Sequence, residues 1–65
     1  MMNEHHKKLI EKDLTKKEVW NIGNKAIDDY SRGYVSADKE GCAEKRGYFN
    51  YMIEEVARII NEKVY

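Results

Sequence analysis

The sequence predicts an all-α fold, an antiparallel helical hairpin preceded by a short helix. Three observations carry that prediction. Apolar residues recur at three- and four-residue spacing, proline is absent from all 65 residues, and a capping box opens a helix at Thr15. One small domain, 1–65, is all that this length supports. The expected boundaries are about 3–12 for the short N-terminal helix, and about 15–32 and 37–64 for the hairpin. The whole is expected to assemble into a helical-bundle oligomer.

Residues 1–8, Met-Met-Asn-Glu-His-His-Lys-Lys, are polar and expected to fray. Leu9 and Ile10 follow, and they give residues 3–12 an apolar edge with which to fold back. Thr15 with Glu18 three residues on is a capping box, flanked by Leu14 and Val19 as a hydrophobic staple. Val19, Ile22, Gly23, Ala26 and Tyr30 then form one stripe, with Trp20, Ile27 and Tyr34 beside it. Gly33 is expected to stop this helix, because glycine enters the left-handed conformation at little cost.

Ser36 is the expected cap of the next helix, with Asp38 and Glu40 at the positive end of its dipole. Cys42, Phe49, Met52, Ile53, Val56, Ile59 and Ile60 make its apolar stripe. Gly41 and Gly47 weaken its first half and allow a break there, whereas 48–62 reads as firm helix. A connection as short as Gly33–Ser36 joins antiparallel neighbours. The second helix is then the longer one, and its last turns need covering by residues 3–12 or by a second subunit.

Twelve basic and 12 acidic residues cancel. That balance lacks the basic stripe of a nucleic-acid binder, so nucleic acid is not an expected partner. No apolar run reaches the roughly 18 residues of a membrane span, and no signal peptide opens the chain. The expectation is a soluble cytoplasmic protein with a reduced Cys42, away from membranes.

No catalytic constellation is visible, and the chain is not expected to be an enzyme or to hold a cofactor. His5 and His6 are adjacent, so their rings diverge on a helix and form no metal site. Glu54–Glu55 and Asp28–Asp29 diverge in the same way and read as solvated faces. Cys42 has no nearby histidine and reads as a small core residue. Arg46 falls in the apolar stripe. The expected register brings it near Gly23, with Asp28 or Glu18 as a carboxylate partner or with its stem laid over the core.

The aromatic residues carry the functional reading. Five tyrosines, one tryptophan and one phenylalanine are many for so polar a chain. Packing within a hairpin needs a stripe about 100° wide, and Val19 through Trp20, Ile27 and Tyr34 make one about 160° wide. Trp20, Ile27, Tyr30, Tyr34, Tyr48 and Tyr51 are therefore the expected partner-binding residues. A core this small gains from further burial, so a homo-oligomer, with a dimer favoured, is expected.

The function expected is a non-enzymatic protein–protein interaction module. Its expected form is a small regulator or inhibitor of a larger host protein, of the kind that phages and mobile elements produce. One alternative is a small-anion or nucleotide binder at the turn, using Arg32, Tyr34, Lys39 and Arg46 near a helix N-terminus. A second is DNA binding by Leu14–Gly33 as a helix-turn-helix, which Trp20 at the crossing point and Asp28–Asp29 near phosphate both oppose.

Overall fold

Thr15 starts the hairpin with the predicted cap. Its Oγ1 accepts from the Glu18 backbone N–H at 3.1 Å, and Glu18 Oε1 accepts from the Thr15 N–H at 3.1 Å. These bonds from Thr15 hold the Glu18 carboxyl below its usual range. The computed structural model describes residues 3–11 and 13–65. Met1 and Met2, at the head of the expected frayed tail, and Lys12, at the end of the expected first helix, lie outside the described residues. The elements are α1 (Glu4–Leu9), α2 (Lys16–Glu40) and α3 (Ala43–Val64), with no strand among the described residues.

The fold is the expected hairpin with a short N-terminal helix, but its turn lies eight residues beyond Gly33, at Gly41. Gly33 stays helical because it is a packing site. A Cβ there would stand 2.5 Å from Cε1 and Cζ of the Phe49 ring. Around Gly41 nothing lies within 4 Å, and its backbone is left-handed, with φ of 74°. The Gly41 N–H donates to Asp38 O at 3.1 Å and the Cys42 N–H to Ala37 O at 3.0 Å. Those two bonds are the Schellman pattern that satisfies the last carbonyls of a helix. Ser36, expected as a cap, is an exposed mid-helix residue. The break expected somewhere in 41–47 falls at the first of the two glycines.

Moving the turn corrects three further expectations. The two hairpin helices are nearly equal, at 25 and 22 residues. Cys42 is half-buried at the N-cap of α3 and outside the core cluster. Arg46 is exposed and reaches Asp38 across the turn at 2.9 Å, far from Gly23. In the observed register Phe49 sits on Gly33, and the Ile60 side chain fills the space that a Cβ on Gly23 would need.

Leu9, Val19, Ala26, Tyr30, Val56, Ile59 and Ile60 form the core, with Ile22, Phe49 and Met52 among the residues packed against it. Leu9 comes from α1, which therefore supplies the cover that the end of α3 needs. Its neighbour Ile10 turns outward and is exposed. From Asn3 onward, the segment expected to fray is docked by specific bonds. Asn3 caps α1 by accepting from the His6 N–H at 2.8 Å. The Asn3 N–H donates to Tyr30 Oη at 3.2 Å, and Tyr30 Oη lies 2.8 Å from His6 Nδ1. At the other end, Lys63 Nζ donates to the carbonyls of Leu9 and Glu11 at 2.7 and 2.8 Å. With Asn3 beside Tyr30 and Leu9 near Gly23, α1 runs antiparallel to α2.

Candidate interaction surface

Helix α2 has two flanks beside its core stripe, about 180° apart at 100° per residue. One carries Asp29, which faces His5 of α1 at 3.8 Å. The other carries Trp20, Ile27 and Tyr34, each seven residues from the next and so in one row. Between this row and α3 runs an open groove of about 620 Å³. Trp20, Ile27, Ala57, Ile60 and Tyr65 give it apolar walls, and Glu54 and Arg58 stand among its lining residues. Arg58 is held by Glu55 and Glu62, both at 2.8 Å, so its charge is already matched on its own helix.

Trp20 is 48% exposed, an unusual position for the largest apolar side chain in the protein. Ile27, the next residue of the row, is half-buried, and Tyr34 is exposed further along. Tyr34 lines a second hollow of about 390 Å³ with Arg46, Gly47 and Asn50. The other expected partner residues are dispersed. Tyr48 faces the α1 flank, where it meets Phe49 edge to face at 5.3 Å and lines a third hollow with Gly33, Ala37 and Phe49. Tyr51 is exposed on the outer surface of α3.

Tyr30 is only 3% exposed and belongs to the core, so it is unavailable to a partner while α1 is docked. It sits in the centre of the α2 stripe, and its hydroxyl is satisfied by Asn3 and His6. In the opposite sense, Ala57 and Tyr65 line the main groove, although sequence reasoning left them out. Their signal was the spacing 57, 61, 65, which places them in one row on α3. Tyr65 lies just past the last helical residue, where periodicity gives out.

The anion-binding set is not brought together. Tyr34 and Arg46 share a hollow, but Arg32 and Lys39 project from α2 roughly 140–160° away from Tyr34. Arg32 pairs with Asp28 at 3.0 Å and Arg46 with Asp38. The helix N-terminus expected near Ser36, which motivated that set, does not exist. Among the described residues no three His, Cys, Asp or Glu side chains gather to hold a metal, and no helix is long and apolar enough to cross a membrane. Compared with known protein families, curated proteins and solved structures, the chain matches none.

Proposed function

We propose that this chain is a non-enzymatic interaction module that receives a helix of a partner protein in the groove between α2 and α3. The observation that carries this reading is the half-exposed Trp20 ring, aligned with Ile27, Ala57 and Tyr65 along one open groove. A groove with apolar walls and charged residues among its lining has the make-up of a protein interface, with a tryptophan of the kind that anchors binding energy. The small core supports the same reading, since a 65-residue chain gains stability by burying more surface. In this reading a second copy occupies the groove in the free protein. A larger protein that the chain regulates or inhibits then competes for it.

Sedimentation equilibrium of the full chain and of Trp20→Ala tests this, with far-UV circular dichroism to verify helicity. The wild-type chain is expected to dimerise, and Trp20→Ala to remain helical but monomeric. A wild-type chain that stays monomeric at every concentration removes the dimer. A Trp20→Ala variant that retrieves the same protein as wild type from the native host removes the groove as a binding site.

A further inference from the structure

We propose that α1 is a proton-operated latch: a proton on His6 Nδ1 breaks the hydrogen-bond chain from Asn3 through Tyr30 to His6 and releases α1, withdrawing Leu9 from the core. One arrangement of protons satisfies both bonds at the Tyr30 hydroxyl. Tyr30 Oη accepts from the Asn3 N–H and donates to an unprotonated Nδ1, leaving the histidine proton on Nε2. Once Nδ1 carries a proton, it and the Asn3 N–H both point at the same hydroxyl oxygen. The Tyr30 hydrogen then loses its acceptor inside the core, and a buried polar group without a partner is costly. His6 is buried, so its new charge is also poorly solvated.

The groups around the latch favour the neutral form. From α2, Tyr30 meets the His6 ring edge to face at 5.8 Å, and burial raises its hydroxyl pKa, so it remains a neutral donor. From α3, Glu55 is the charged group nearest in effect, but its carboxylate is already bound by Arg58 at 2.8 Å. Burial lowers His6 below the ordinary histidine value, and the pull of Glu55 in the opposite direction is weaker. Beside the latch, His5 Nε2 lies 3.8 Å from Asp29 Oδ2 of α2, a contact that also holds α1 in place.

The folded His6 thus holds its proton less readily than a released one. Closure is complete above about pH 6.5, the value of a free histidine, and is lost as the pH falls below it. At the other end of α1, Lys63 Nζ donates to the carbonyls of Leu9 and Glu11, so release starts at Asn3.

Amide hydrogen exchange of residues 4–9, followed with the NMR titration of the His6 ring, tests the latch on the full chain. Protection of α1 is expected to fall as the pH drops below about 6.5, by at most about tenfold per pH unit, the most that one proton allows. The exchange of α2 and α3 should change little. His6→Asn keeps an acceptor near the Nδ1 position but cannot charge, and its α1 should stay protected throughout. His5→Gln, which removes the contact with Asp29, should keep the same pH-dependent loss of protection from a baseline no higher than that of wild type. Protection that stays flat while His6 titrates, or that falls equally in His6→Asn, overturns the proposal. If His6→Asn fails to dock α1 even at neutral pH, the wild-type curves decide. Coincidence of the two transitions supports the latch, and separation of them overturns it.

Discussion

Trp20 and Asp29 stand on opposite flanks of one helix, and the two flanks are completed in different ways. Along the Asp29 flank a six-residue helix is pinned at three points: Tyr30, the Leu9 socket and Lys63. Along the Trp20 flank the groove stays open, with no element among the described residues over it. The difference lies in the polar partners more than in the apolar area. The covered flank offers a buried hydroxyl and a lysine that only particular atoms can satisfy, so it selects one occupant. On the open flank Arg58 is already paired with Glu55 and Glu62 on its own helix, and the groove would accept any helix of suitable shape.

Breaking the covered flank should have the largest effect. Leu9→Ala removes a fully buried side chain at the point where three helices meet. It should cost about 2–5 kcal/mol of unfolding free energy in urea titration. In a domain of this size such a loss leaves α1 detached or the chain unfolded. If the loss proves small, α1 contributes little to the core.

A smaller effect is expected from Tyr30→Phe, which preserves the ring packing and removes only the hydroxyl. It strands the Asn3 N–H and His6 Nδ1, and about 1–3 kcal/mol should be lost at neutral pH. Equal stability of Tyr30→Phe and wild type would mean that the hydrogen-bond chain does not fasten α1. The smallest effect belongs to the open flank. Trp20→Gln, studied at a concentration where the chain is monomeric, should change stability by no more than about 0.5 kcal/mol. A much larger loss would place Trp20 in the core and make the two flanks alike.

Much of the fold was legible locally. The Thr15–Glu18 cap needs only residues three apart, and the apolar stripe of 48–60 follows from helical period alone. The row of Trp20, Ile27 and Tyr34 was legible for the same reason. The exposed groove facing it could be foreseen only in part, because Ala57 and Tyr65 gain meaning from what lies across the seam. Tyr30 shared its stripe with buried residues and was still assigned to the surface, since its ring type invited an interface reading.

The chain by itself fixed its helical character, the start of α2 and the width of the aromatic stripe, all properties set by neighbours within one or two turns. The place of the turn was decided only by the tertiary structure. Gly33 and Gly41 look alike in sequence, and either could end a helix. The Phe49 ring resting on Gly33 keeps that residue helical, while the empty space around Gly41 leaves it to adopt the left-handed bend. The same holds for His6, which is an ordinary tail histidine until Tyr30, 24 residues away, closes on its ring. Contacts between residues so far apart in the chain leave no periodic trace, which is why packing alone could settle them.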